Sequence, residues 1–233
     1  ATLATVNAAC ERVNDWLYAT ARGAIAAGQR VAAIGGDHSI PLGLMRALAE
    51  HHGEFGILHI DAHADLRDAY QGFAYSHASI MTNALTLPSV SRLVQVGLRD
   101  VSPHEVAKIQ QSQGRIIAHY DAILQEKRFE GTPWRDLCQQ IIAPLPERVY
   151  LSFDVDGLDP KLCPTTGTPV PGGLQLEEAF CLVRELVRSD RQLIGFDVSE
   201  VGAGEWDGNV AARIVYKLCN LMGLSEQSRH DHR

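Results

Sequence analysis

Ile57-Leu58-His59-Ile60-Asp61-Ala62-His63-Ala64-Asp65 joins a short apolar run to a cluster of acids and imidazoles. The run reads as a buried β-strand. The Asp-x-His-x-Asp that follows it sets a candidate ligand at every second residue, and the strand period of two turns all three toward one side of an extended chain. Two other segments have the same design. Val31-Ala32-Ala33-Ile34 leads into Gly35-Gly36-Asp37-His38-Ser39, and Val149-Tyr150-Leu151-Ser152-Phe153 leads into Asp154-Val155-Asp156.

Working outward from these runs, further strands are expected at 93–98, 116–118 and 193–196. Amphipathic helices are expected at 7–28 (apolar face Val13, Trp16, Leu17, Ala21, Ile25), 39–52, 103–113, 134–143, 175–188 and 210–222, with a mixed loop and short helix over 75–85. Apolar strands alternating with helices make an α/β protein, a three-layer α/β/α sandwich around a mostly parallel sheet. Ligands of such sheets collect beyond the carboxyl ends of the strands, where all three acid and imidazole segments begin.

The 233 residues are 45% hydrophobic and 21% charged, as in ordinary globular proteins, and are expected to form a single catalytic domain over 1–233. Only the tail after Gly223, ending Ser228-Arg229-His230-Asp231-His232-Arg233, reads as loosely held. A formal net charge of −7 argues against nucleic acid or an anionic membrane surface as partner. No run is long enough to span a membrane, and the N-terminus lacks the order of a signal peptide. Cys10, Cys138, Cys163, Cys181 and Cys219 are odd in number and contain no Cys-x-x-Cys, which favours reduced thiols and a cytoplasmic location.

Carboxylates and imidazoles at this density are tolerated in a protein interior only when paired or bound to a cation. A hard set of Asp oxygens with one or two imidazoles suits Mn²⁺ better than a thiolate-loving metal, while Ni²⁺, Co²⁺ and Zn²⁺ stay open. Two such ions activate water for attack on carbon or phosphorus, so the first function to consider is metal-assisted hydrolysis.

Gly-Gly-Asp-His-Ser at 35–39, Asp-Ala-His-x-Asp at 61–65 and Ser-Phe-Asp-x-Asp-Gly-Leu-Asp-Pro at 152–160 resemble the three signatures of the ureohydrolases, the arginase, agmatinase and formiminoglutamase family. The likeness runs from about residue 31 to residue 222. It implies an arginase-like fold and two Mn²⁺ per chain, one held by His38, Asp61, Asp65 and Asp154 and the other by His63, Asp61, Asp154 and Asp156. It also implies that Asp65 assists the attacking water, that Glu200, in Asp197-Val198-Ser199-Glu200-Val201, grips the guanidinium, and that His77 binds substrate and passes a proton to the departing amine. The segment 165–173 resembles the family's rim loop. Asp37 and Asp159 are left outside the ligand set, His59 and His119 are expected to be hydrogen-bonded structural histidines, and Asp197 is a candidate to support the ligands.

Within the family, Leu66-Arg67-Asp68 and Ser102 depart from the arginase pattern at positions that hold an α-amino acid. Tyr75-Ser76-His77 resembles the agmatinase loop, although Ala78-Ser79-Ile80-Met81 then departs from it. The expected activity is a manganese-dependent amidinohydrolase that cleaves a small guanidino substrate to urea and an amine, with agmatine favoured. The alternatives are arginase or another guanidino-acid hydrolase, or an inactive metal-binding paralogue. The family's first strand and Gly-Pro-rich segment have no counterpart before Gly35, so part of its N-terminal fold is expected to be absent. The resemblance also implies a homo-oligomer, a trimer or hexamer. A dinuclear phosphoesterase would need later Asn and His ligands, and a zinc deacetylase of related fold would use one metal.

Overall fold

The computed structural model describes residues 2–230, with 227–230 as backbone only. In chain order the elements are α1 (Leu3–Ala26), β1 (Ala32–Ile34), α2 (Leu42–His52), β2 (Phe55–Ile60), α3 (Ile80–Leu85), β3 (Val90–Leu98), α4 (Pro103–Gln111), β4 (Ile116–Tyr120), α5 (Asp121–Phe129), α6 (Trp134–Ile142), β5 (Arg148–Asp154), α7 (Leu176–Arg188), β6 (Gln192–Ser199) and α8 (Glu205–His230). Short 3₁₀ turns occupy His77–Ser79 and Val155–Gly157.

The strands form one six-stranded sheet in the order β1-β6-β5-β2-β3-β4, and every neighbouring pair is parallel. From β2 the chain winds outward through β3 to β4, then returns to lay β5 and β6 on the other side. The reversal falls between β2 and β5, where a crevice opens beyond the strand ends. Asp61 follows β2, and Asp154 ends β5.

Alternation along the strands separates two cores. Leu58, Ile60, Val94, Val96, Leu151 and Phe153 face one side and pack with residues of α6, α7 and α8. Phe55, Ile57, Leu93 and Tyr150 face the other and pack with residues of α1, α2 and α3. This is the expected three-layer sandwich. Among the described residues no helix is long and apolar enough to cross a membrane.

Several elements differ from the sequence expectation. Helix α1 runs from Leu3 to Ala26, with its Thr2 side chain accepting a hydrogen bond from Thr5 N–H, and its inner face is Asn14, Ala21 and Ile25. Val13 and Trp16 are 49% and 67% exposed, so the apolar stripe alone does not set the rotation of the helix. Close backbone packing on α2 does: a Cβ at Gly43 would lie 2.3 Å from the Asn14 carbonyl oxygen. Strand β1 is a three-residue edge strand with Ile34 63% exposed, rather than a buried run.

Helix α5 has no counterpart in the expected elements, although Asp121 in its first turn and Lys127 and Arg128 in its last complement the helix dipole. Helix α8 starts earlier than expected and continues through Gly223 to His230, and residues 231–233 of the tail lie outside the described residues.

His119, on β4, carries a buried Nε2 without a hydrogen-bond partner. Burial and then Lys127 depress its pKa to about 4. A folded-state value below the unfolded one makes its contribution to stability complete above the ordinary imidazole range and lost as the pH falls from about 6.5 toward 4. Replacing His119 with Leu should therefore flatten the acid limb of the stability profile by about 1–2 kcal/mol in urea melts at pH 7 and pH 4.5. An unchanged difference between the two pH values would contradict this.

Candidate metal centre and substrate cleft

The six expected ligands meet at the carboxyl ends of β1, β2 and β5. His38 Nδ1 lies 3.2 Å from Asp61 Oδ2, 3.2 Å from Asp65 Oδ2 and 3.1 Å from Asp154 Oδ2. His63 Nδ1 lies 3.1 Å from Asp156 Oδ2 and 3.4 Å from Asp61 Oδ1. Asp61 thus turns one carboxylate oxygen toward each imidazole. Two groups with metal-ligand spacing result, one of His38, His59, Asp61 and Asp65, the other of Asp61, His63 and Asp156.

The route to this geometry is not the extended one expected from the spacing of two. Asp65 has φ 53°, in the left-handed region, and its carbonyl accepts Met81 N–H from the first turn of α3. Asp156 sits in the 3₁₀ turn after β5, with its N–H donating to Asp154 Oδ1 at 2.8 Å and its Oδ1 accepting Ala62 N–H at 3.1 Å. Loop bends, rather than strand pleat, bring the side chains together.

Beneath the ligands a polar row crosses the sheet in register: Gln95 on β3, His59 on β2, Ser152 on β5 and Asp197 on β6. Gln95 Nε2 donates to His59 Nδ1 at 2.9 Å and to the Ala64 carbonyl at 2.7 Å. That assignment leaves the proton of His59 on Nε2, which lies 2.7 Å from Asp61 Oδ2. His38 Nε2 is 2.7 Å from Ser152 Oγ and 3.5 Å from Asp197 Oδ1, and Asp197 also accepts Tyr150 Oη–H and Ser199 Oγ–H. Such partners orient ligands and tune their basicity. His59 is therefore hydrogen-bonded, as expected, yet it stands nearer the ligands than expected. Gln95 and Ser152 were not among the expected site residues, although each interrupts an apolar strand with a polar side chain.

The electrostatics describe a site short of positive charge. Burial, then Asp61 and Asp156, push the Asp154 carboxyl well above its ordinary range. Burial and Asp61 likewise raise Asp65 and Asp156. Burial opposes charge on His38, but Asp154, Asp197, Asp61 and Asp65 outweigh it and raise its pKa well above the usual imidazole value. Burial also opposes charge on His63, which Asp156 and Asp61 nonetheless raise to about 11. Burial disfavours the Asp61 charge too, but His59, His38 and His63 hold that carboxyl well below its usual range. Protons here occupy positions a cation would take, so metal binding and proton release are coupled.

The fit to a metal rests on one atom. His38 Nδ1 is buried without a hydrogen-bond partner, although three carboxylate oxygens lie within about 3.2 Å. A lone pair directed at a cation shared with those oxygens resolves that arrangement. Oxygen-rich donors with imidazole nitrogen suit a hard or borderline divalent ion.

The cleft above is lined by His63, Asp65, Arg67, Tyr70, His77, Asp100, Glu105 and Thr168 around about 150 Å³. His77 opens the 3₁₀ turn capped by Ser76, edge-on to the Tyr70 ring at 5.9 Å. Glu200 follows β6 with φ 62°, its N–H bonded to the Gly36 carbonyl and its Oε1 accepting His38 N–H at 2.8 Å. Burial raises its pKa. The rim loop closes on it, with Thr166 Oγ–H donating to the Glu200 carbonyl and Thr168 Oγ–H to Asp156 Oδ2. Asp37 bonds within its own turn to Ser39, and Asp159 caps Lys161 and accepts from Gln175, so neither points into the site.

Residues 2–220 match the sequence model described as the arginase family. The chain belongs to the arginase family. The match begins at α1, well before the first motif and earlier than the likeness read from the motifs alone. The N(1)-aminopropylagmatine ureohydrolase of Thermus thermophilus is 38% identical over 200 residues, covering 85% of this chain and 64% of that protein. The guanidinobutyrase of Pseudomonas aeruginosa is 34% identical, covering 82% of this chain and 60% of that protein. The chain therefore spans under two thirds of the length of these curated relatives. Among solved structures, the agmatine ureohydrolase of Thermoplasma volcanium superposes with a TM-score of 0.76 at 26% identity, covering 96% of this chain and 71% of that one.

Proposed function

We propose that the chain is a ureohydrolase with two divalent cations, manganese first among them, that hydrolyses a small guanidino compound to urea and an amine. The observation that carries this reading is Asp61, which directs one carboxylate oxygen into each of two imidazole and carboxylate groups. His38, Asp61, Asp65 and Asp154 would hold one ion, and His63, Asp61, Asp154 and Asp156 the other. When bound, such a pair lowers the pKa of water toward neutrality for attack on an electrophilic carbon.

The side chains account for the remaining tasks. Glu200 accepts guanidinium N–H groups and orients the planar carbon, as carboxylates do for guanidinium forks. Asp65 accepts the proton released by the attacking water. His77, across the cleft, gives a proton to the amine nitrogen as its bond to carbon breaks, leaving urea.

For the substrate tail, agmatine is favoured over arginine. Ser102 and Glu105 are engaged with each other in the capping box of α4, with Ser102 Oγ 2.7 Å from Glu105 Oε2, and Glu105 Oε1 takes Leu66 N–H. Neither is left to hold an α-amino group. The exposed Asp100 carboxylate at the mouth favours a cationic tail. The names of the relatives, agmatine and aminopropylagmatine ureohydrolases among them, agree with this choice. The same reading takes the chain as one catalytic unit within a homo-oligomer, a trimer or hexamer, in the reducing cytoplasm, where its five free thiols are stable.

The test is urea release from agmatine, guanidinobutyrate, aminopropylagmatine and arginine by Mn²⁺-loaded protein. Agmatine should be turned over with the highest kcat/KM. Arginine ahead of agmatine would reject the substrate assignment, and no urea from any of them would reject the reaction.

A further inference from the structure

Arg99 stands immediately after β3, beside the metal centre but outside the ligand set. Its backbone N–H donates to the Ala62 carbonyl at 2.8 Å, inside the Asp-Ala-His segment. Its guanidinium is spread over carbonyl oxygens from three stretches of chain. Nη1 donates to Gly97 at 2.9 Å and reaches Gly157 at 3.5 Å; Nη2 donates to Asp156 at 2.6 Å, Leu158 at 3.1 Å and Val170 at 3.0 Å; Nε donates to Val170 at 3.2 Å. A planar fork of five N–H donors meets five carbonyls, a demand that no other side chain satisfies.

The surroundings are shaped to this group. A Cβ at Gly173 would come within 2.8 Å of Arg99 Nη2, and one at Gly172 within 3.3 Å of its Cδ; both glycines have positive φ, 95° and 101°. The buried Asp121 accepts Gly173 N–H at 3.1 Å and holds the rim loop down on the guanidinium.

We infer that Arg99 is a positioning residue, which locks the Asp156 metal loop to the rim loop that carries Thr166 and Thr168. Through Asp156 it fixes the second metal position, formed with His63. Through Val170 it fixes the loop that meets Glu200, hence the guanidinium end of the substrate. His38 and Asp65, which complete the first metal position with Asp61 and Asp154, hang on β1 and α3, and none of these four residues receives a hydrogen bond from the Arg99 guanidinium. The inference rests on the two-cation reading above.

The experiment is calorimetric titration of metal-stripped protein with Mn²⁺, alongside steady-state kinetics, for wild type, Arg99→Lys and Leu218→Ala. Lysine keeps the charge but cannot reach both loops. Leu218, fully buried in α8, removes core volume without touching a hydrogen bond of the site. Arg99→Lys should bind the first Mn²⁺ as wild type and the second about 10- to 100-fold more weakly. At saturating Mn²⁺ its KM should rise more than its kcat falls. Leu218→Ala should lower the melting temperature with both affinities and KM unchanged.

Equal weakening of both Mn²⁺ steps in Arg99→Lys, or no change in either, would overturn the inference. So would a pattern matched by Leu218→Ala. Should Arg99→Lys fail to fold, Gly173→Ala lifts the rim loop from an intact Arg99 and should reproduce the rise in KM, whose absence is equally fatal. Selective loss of the second Mn²⁺ from a protein that releases no urea would support the positioning role while rejecting the proposed reaction.

Discussion

Asp61→Asn protein should fold, bind Mn²⁺ at neither position, and release urea on the order of a thousandfold more slowly than wild type or not at all. The substitution is isosteric, so the effect is electronic. Asp61 Oδ1 accepts His63 N–H at 2.6 Å and Oδ2 accepts from His59 Nε2 at 2.7 Å. An amide can keep only one of these, because its NH₂ would meet a donor at the other. It also removes a negative charge that both ligand groups share.

The metal-free proteins should differ for a separate reason. Asp61 is among the charges that push Asp65, Asp154 and Asp156 upward, yet against burial His59, His38 and His63 hold its own carboxyl well below the usual range, so its charge stabilises the metal-free fold. Metal-free Asp61→Asn should therefore melt below metal-free wild type. Wild type should gain about 4 kcal/mol when Mn²⁺ is present at a thousand times its dissociation constant, and the variant nothing. Differential scanning calorimetry with and without Mn²⁺ separates the two. A variant still stabilised by Mn²⁺ to the wild-type extent would remove Asp61 from the centre of the site.

The contrast between the two states of this residue also shows which parts of the protein its sequence could reveal. Apolar runs ending in acid and imidazole clusters located the sheet and the edge where the candidate ligands meet, because a buried parallel strand and an unpaired carboxylate each constrain composition strongly. Glu200 and His77 are candidates only through resemblance, since one glutamate after a strand, or one histidine in a loop, carries no distinctive pattern. Tertiary contacts decided the rest. The rotation of α1 was set by a close approach at Gly43, invisible to a hydrophobic stripe that would have buried Trp16. Strand β1 lies at the sheet edge, so Ile34 is apolar yet exposed.

Helix α5 was hidden because its exposed Ile123 and Phe129 spoil a periodicity that only Leu124 anchors. The polar row of Gln95, His59, Ser152 and Asp197 was in plain view, a polar residue set among the apolar residues of each of four strands. Its meaning required the register that sets them side by side. Arg99 was equally silent, because carbonyl oxygens leave no mark on sequence.

Gly157→Ala should be the most damaging single methyl group in the protein's metal loop. The added Cβ would lie 2.7 Å from Asp61 N, 2.9 Å from Asp61 Cα and 3.0 Å from the Ile60 carbonyl carbon. All three are backbone atoms at the end of β2, so no side-chain rotation relieves the clash. Either the strand end or the Val155–Gly157 turn must move, and the two carry Asp61 and Asp156, held together by Ala62 N–H on Asp156 Oδ1.

Overpacking of this kind costs about 1–3 kcal/mol, which for a chain of this size lowers the melting temperature by roughly 2–4 °C per kcal/mol. Displacement of reacting groups by about 1 Å costs on the order of a hundredfold in rate, so urea release should fall far more than stability does. Gly208→Ala provides the control: it lies in α8 with nothing within 4 Å of the new Cβ, and alanine there should stabilise the helix by about 1 kcal/mol and leave activity untouched. Wild-type urea release from Gly157→Ala would mean that the close approach of β2 and the metal loop does not hold the ligands in place.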